Sequence, residues 1–189
     1  MKLTAASTLG TVTLAVASAL RAEGIRAVLT GGACVSLYTR GVYHSKDIDF
    51  VLETQVTRAE LDDAMGTAGF SRRGDRYEHD HVRFYVEFPP GPLAIGNDLA
   101  IRPVEIRRFG LRALALSATD CCRDRLAAFY HWNDRQSLRS AVLVALRNRV
   151  RMGAIEQWSH REGATSGLQE FRREVQRAKQ RRRHRRARE

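Results

Sequence analysis

The chain has 189 residues and a mass of 21.3 kDa, enough for one domain of ordinary size with a helical appendage and too little for two full domains. Hydrophobic residues at 43% and charged residues at 28% form a globular balance that argues against a membrane protein and against a wholly disordered chain. The formal net charge of +11 is the unusual quantity, and arginine carries nearly all of the positive charge, because Lys2, Lys46 and Lys179 are the only lysines.

That charge is unevenly spread. Residues 177–189, RAKQRRRHRRARE, hold eight basic residues and one acid, or +7, which leaves +4 over residues 1–176. A run that repels itself and has no apolar residue larger than Ala reads as a frayed helix end or a disordered arm. Three cysteines, Cys34, Cys121 and Cys122, are an odd count with an adjacent pair, as expected of a reducing, cytoplasmic setting.

At the N-terminus, one Lys and a stretch of small and apolar residues have the look of a secretory signal. Ser and Thr interrupt that stretch, however, and Leu9, Val12, Val16 and Leu20 recur at helical spacing, which predicts an amphipathic first helix ending near Gly24. Ile25–Leu29 reads as a short strand running into Thr30-Gly31-Gly32, followed by a helical stretch from Ala33 to Tyr38. Lys46–Leu52 is a second strand. Thr57 with Glu60 three residues later predicts a capped helix from Arg58 to Ala68, closed by Gly69. Residues 81–88, HVRFYVEF, alternate strictly, with Val82, Phe84, Val86 and Phe88 on one face and His81, Arg83, Tyr85 and Glu87 on the other, until PPGP stops the strand. Leu99–Ile106 is extended. From Thr119 the pattern is helical, with Asn133 as the expected cap of a second helix that has Gln136 at its third position.

Strands alternating with helices and then giving way to helices alone point to an α+β fold: a mixed sheet with flanking helices and a helical C-terminal portion. The divisions expected are an α/β core over 1–115, a helical portion over 116–176 packed on it, and an arginine-rich disordered tail over 177–189.

Asp47 and Asp49 carry the chemistry. Residues i and i+2 of a strand face the same way, so both carboxylates project together while Ile48 and Phe50 face a core. Two like charges so close call for a neutralising cation, and clustered hard oxygens suit Mg²⁺ or Mn²⁺. Glu87, on the polar face of its own strand, becomes a third ligand if that strand lies beside the Asp pair, which is the set a two-metal phosphoryl or nucleotidyl transfer requires. Gly31-Gly32 between a strand and a helix lets backbone N–H groups approach a phosphate.

Thr30-Gly31-Gly32 followed by Asp47-Ile48-Asp49-Phe50 resembles the signature of the DNA polymerase beta-like nucleotidyltransferase superfamily, and residues 20–150 are similar to small bacterial nucleotidyltransferase-like proteins of the abortive-infection and toxin–antitoxin branch. The resemblance implies that Gly31 and Gly32 hold a triphosphate, Asp47 and Asp49 two metals, and Glu87 one metal and the acceptor hydroxyl, with Arg125 and Asp134 as further nucleotide-binding residues. The chain departs from the pattern in a 14-residue spacer between Gly32 and Asp47 and in a Glu as third acid. The activity implied is Mg²⁺-dependent transfer of a nucleoside monophosphate from an NTP to a hydroxyl of RNA, tRNA or protein, with the arginine arm favouring RNA. The alternatives are a catalytically weak or inactive binding protein of the same fold, such as a toxin–antitoxin component with a cognate partner or an RNA-binding accessory, and a nucleic-acid binder whose carboxylates are only structural.

Among the remaining polar residues, Asp124, Arg125, Asp134 and Arg135 can equally form ion pairs on or between helices. Trp132 reads as core more readily than as a base-stacking platform, Lys46 as a surface residue, His79-Asp80-His81 as a solvated loop, and Cys121-Cys122 as inert, partly buried thiols.

Overall fold

The computed structural model describes residues 2–108 and 110–186, with side chains through His184. Two compact units emerge from it. The first comprises residues 1–94 and 99–117, and the second residues 95–98 and 118–189.

The first unit is built on a seven-stranded mixed sheet. Its strands are β1 (Ala27–Leu29), β2 (Asp47–Leu52), β3 (Ser71–Arg73), β4 (Arg76–His79), β5 (Val82–Glu87), β6 (Val104–Arg108) and β7 (Leu111–Ala115), in the spatial order β3-β4-β5-β2-β1-β7-β6. Pairs β2–β5 and β1–β7 are parallel and the other neighbours antiparallel. The three residues of β1 are all buried, as suits a central strand flanked on both sides. Three helices complete the unit: α1 (Leu9–Ala22), α2 (Gly31–Thr39) and α3 (Arg58–Thr67). In α1, Leu9, Val12, Val16 and Leu20 are buried and the Thr8 hydroxyl caps the N-terminus by accepting from the Thr11 N–H. The helix packs on β7 and against α2 and α3. Among the described residues no helix is long and apolar enough to cross a membrane. The Thr57/Glu60 capping box that starts α3 is complete on both sides.

The second unit holds α4 (Ala118–Trp132), α5 (Arg135–Arg147), α6 (Met152–Arg161) and α7 (Thr165–Arg186). Trp158 is its central side chain, stacked on Tyr130 at 5.6 Å between ring centroids and donating its indole N–H to the Ile95 carbonyl at 3.2 Å. Arg123 lies over the same indole, with its guanidinium paired to Asp98 and, at 2.8 Å, to Asp120. These bonds hold residues 95–98 in the helical unit although the chain on either side of them belongs to the sheet.

Several expectations need correction. Strands β3, β4 and β7 were not foreseen: SRR at the sheet edge and RYEH beside it are polar strands without an apolar alternation, and LRALA is composed of good helix formers that the ladders to β1 and β6 hold extended. The stretch from Leu99 becomes strand only at Val104, just past Pro103, which has no N–H for a ladder. Helix α2 starts at Gly31 rather than Ala33.

The residues expected to be a frayed helix end or a disordered arm continue α7 as far as Arg186, while residues 187–189 lie outside the described residues. Leu168, Phe171 and Val175 anchor the first half of that helix in the core. Arginine is a good helix former, and cations near a helix C-terminus are favoured by the macrodipole. Arg177 also pairs with Glu174 at 2.9 Å, and Arg182 donates to the Leu146 carbonyl at 3.1 Å.

Asn133 is not the cap of α5. It adopts a left-handed conformation with φ 52°, linking α4 to α5, and Asp134 caps instead, accepting from the N–H groups of Gln136 and Ser137.

Candidate metal and nucleotide site

Strands β2 and β5 lie side by side and parallel, with Asp47 opposite Tyr85, Ile48 opposite Val86 and Asp49 opposite Glu87. The period of two sorts these pairs cleanly. Ile48, Phe50, Phe84 and Val86 are buried, while Asp47, Asp49, Tyr85 and Glu87 are half-buried on the other face. One carboxylate oxygen from each of Asp47, Asp49 and Glu87 lies within 4.8 Å of the other two. The condition attached to Glu87 in the sequence, that its strand adjoin the Asp pair, is therefore met. Three anionic oxygen donors at this separation fit a hard divalent cation such as Mg²⁺ or Mn²⁺.

Gly31 and Gly32 stand against this cluster. The Thr30 N–H donates to the Asp49 carbonyl at 2.9 Å, tying the start of α2 to the acid-bearing strand. Gly31 has φ +61°, and a β-carbon there would collide with the Asp49 carboxylate; one on Gly32 would collide with the Ser45 hydroxyl. Both glycines are thus required by close approach. Thr30, the N-cap, makes no side-chain cap bond, and the first turn of α2 has no acid. The Thr30 side chain therefore leaves the backbone N–H groups of this turn uncapped, and the turn lies against the carboxylate of Asp49.

Three residues of the site were not singled out in the sequence. Ser45 donates its hydroxyl to the Asp47 carboxylate and so orients the first acid. Tyr43 brings its ring edge to 3.3 Å from where a Gly32 β-carbon would sit. Tyr85, the ladder partner of Asp47, has its phenol pushed above its ordinary pKa by desolvation first and then by Asp47 and Glu87. Only the polar alternation of β5 hinted at Tyr85, and nothing marked Ser45 except its place two residues before Asp47. Beside Glu87, Arg76 of β4 sends its guanidinium to Glu78 at 2.5 Å and lies 4.6 Å from the Tyr85 ring centroid.

Other candidate residues have local partners in the second unit. Arg125 pairs with Asp124 at 2.8 Å, and Arg135 with Glu170 at 2.6 Å. The Asp134 carboxylate is held below its usual range chiefly by the Ser137 hydroxyl, as part of the cap. Trp132 departs from the core expectation: it is 77% exposed at the end of α4. Lys46 is exposed as expected. His79 belongs to β4 rather than to a loop, with its Nδ1 accepting from the His81 N–H at 3.0 Å. Cys121 and Cys122 are fully buried, and burial pushes the Cys122 thiol well up.

The fold is nucleotidyltransferase-like. The crystal structure of an antigenic nucleotidyltransferase-like protein from Paracoccidioides brasiliensis matches the chain with a TM-score of 0.56 at 17% identity, over 75% of this chain and 77% of that one. No family model matches the sequence, and no curated protein matches it.

Proposed function

We propose that the chain is a divalent-metal-dependent nucleotidyltransferase that moves a nucleoside monophosphate from an NTP to an acceptor hydroxyl. The observation that carries this reading is the convergence of Asp47, Asp49 and Glu87 within 4.8 Å of one another, on a sheet face that also packs against the Gly31–Gly32 helix start. The nucleotidyltransferase-like fold supports it.

In this reading the N–H groups of Gly31 and Gly32 donate to the triphosphate oxygens, and their lack of side chains gives those oxygens access to the backbone. Asp47 and Asp49 hold the metals, with Ser45 fixing the rotamer of Asp47. Glu87 serves one metal and orients the acceptor hydroxyl. Mg²⁺ or Mn²⁺ held by these residues would lower the pKa of the attacking hydroxyl and offset charge on the transferring phosphoryl group. The acceptor oxygen forms a bond to the α-phosphorus, the bond from that phosphorus to the bridging oxygen breaks, pyrophosphate leaves with the electron pair, and the hydroxyl proton passes to solvent. An RNA acceptor is favoured by the cations that extend along α7.

The test is incubation of the purified protein with each labelled NTP, Mg²⁺ and total RNA. Label is expected in RNA with wild type and not with the Asp47→Ala, Asp49→Ala double variant. Equal labelling by the two proteins refutes catalysis by this site on RNA.

A further inference from the structure

A cavity of the first unit lies beside the acid-bearing strand and is lined by cations. Of about 1360 Å³, it exceeds the roughly 300–1,000 Å³ of small-molecule clefts. Arg40, His44, Lys46, Arg83 and Arg108 line it, and no Asp or Glu does. Arg40, Lys46 and Arg83 are exposed and make no ion pair among the described residues. The start of α1, from Thr8 to Thr11, forms part of the wall with no acid in its first turn, so the positive end of its dipole is added to the side-chain charge. Deeper in the groove are the apolar side chains of Leu9, Leu14, Leu37 and Phe84.

The groove is continuous with the carboxylate cluster through two residues. Ser45 lines it and donates to Asp47. Arg83 stands on the same strand face as Tyr85 and Glu87, and at a rise of roughly 3.3 Å per residue it precedes Glu87 by about 13 Å.

We propose that this groove binds the phosphodiester backbone of a single-stranded polynucleotide and leads its end to the acids. Cations from four separate segments surround the channel, and that suits a flexible anionic chain threaded through it. The apolar wall, exposed at Ala5 and Ala6 and backed by the buried Leu9, Leu14, Leu37 and Phe84, suits sugars and unpaired bases, the latter turned inward in a duplex. Contacts limited to phosphates carry little sequence information, so recognition is by charge and strandedness. That the bound strand is the acceptor rests on the nucleotidyltransferase reading; that it binds does not.

The test is fluorescence anisotropy of a labelled twelve-nucleotide oligouridylate with the full chain, in EDTA and without NTP, over a series of salt concentrations. The groove variant is Arg40→Gln, Lys46→Gln, Arg83→Gln. The control, Arg21→Gln, Arg58→Gln, Arg102→Gln, makes the same charge change at exposed residues of the same unit outside the groove. With about 0.7 counterions released per phosphate contact on a single strand, three lost contacts flatten the log–log salt slope by about 2. The groove variant is expected to bind at least tenfold more weakly at 0.15 M salt and the control within about twofold of wild type. Equal binding by both variants, or equal loss in both, overturns the proposal. So does tighter binding of a hairpin duplex, and displacement of the oligonucleotide by polyglutamate at matched charge, which would assign the groove to an acidic protein. Oligonucleotide binding by wild type with no label transferred to RNA leaves the groove standing and refutes transfer to an RNA acceptor; label transfer that the groove variant retains in full does the reverse.

Discussion

The carboxylate of Asp49 lies against the α-carbon of Gly31, so closely that no side chain fits between the strand bearing the acids and the first turn of α2. Sheet and helix start are thereby locked into one site, and the lock depends on a missing β-carbon.

Gly31→Ala is accordingly expected to act twice. The left-handed φ of +61° costs about 1 kcal/mol for any non-glycine residue, and the collision displaces Asp49. Gly24→Ala provides the comparison, because Gly24 has φ +72° and nothing near its would-be β-carbon. Urea denaturation should show Gly31→Ala destabilised by clearly more than Gly24→Ala. Label transfer should fall about a hundredfold or more in the first, as a displacement near 1 Å does in a catalytic group.

Ser45→Ala removes the hydroxyl that orients Asp47 without touching a ligand atom. Partners of metal ligands typically contribute ten- to a hundredfold in affinity or activity. The expected result is a Mn²⁺ titration midpoint raised by about tenfold or more, with Ser45→Thr recovering part of the loss. A merely structural hydroxyl would leave the midpoint where it is.

The sheet face was legible in the sequence because β2 and β5 both alternate, and alternation fixes which side chains point together. It could not say which strands are neighbours. The adjacency of β2 and β5 is set by a long parallel connection through α3 and the β3–β4 hairpin, and the strands of that hairpin carry no apolar pattern. Trp132 was misread, and the C-terminal arginines were left between a helix end and a disordered arm, for a related reason. Composition predicts average burial and average disorder, whereas the observed outcomes depend on where α4 ends and on the Leu168, Phe171 and Val175 contacts that carry α7 forward.

Asp134 provides a pH-dependent increment of stability to the second unit. Its carboxyl is held below the ordinary value by the Ser137 hydroxyl and the cap N–H groups, so the folded pKa is lower than the unfolded one. Its contribution is then complete above the unfolded value of about 3.9 and is lost as pH falls through the lowered folded value. Asp134→Ala should cost about 1 kcal/mol at pH 7 by urea denaturation and progressively less as the pH is taken below about 4.

The three carboxylates make a prediction of opposite signs with and without metal. Unit charges within 4.8 Å of one another repel by on the order of 1 kcal/mol even when solvent screens them as well as bulk water does. Neutralising one of them by Glu87→Gln or Glu87→Ala should therefore stabilise the protein in EDTA, raising Tm by about 2–4 °C. Adding Mg²⁺ or Mn²⁺ should raise the Tm of wild type and raise that of either variant less, since each has lost a ligand and the repulsion that binding relieves. A thermal melt in EDTA and in millimolar Mn²⁺ measures both signs. Variants less stable than wild type in EDTA would mean that the acids are held by internal partners rather than kept for a cation, and the metal site would then be lost as an explanation for their convergence.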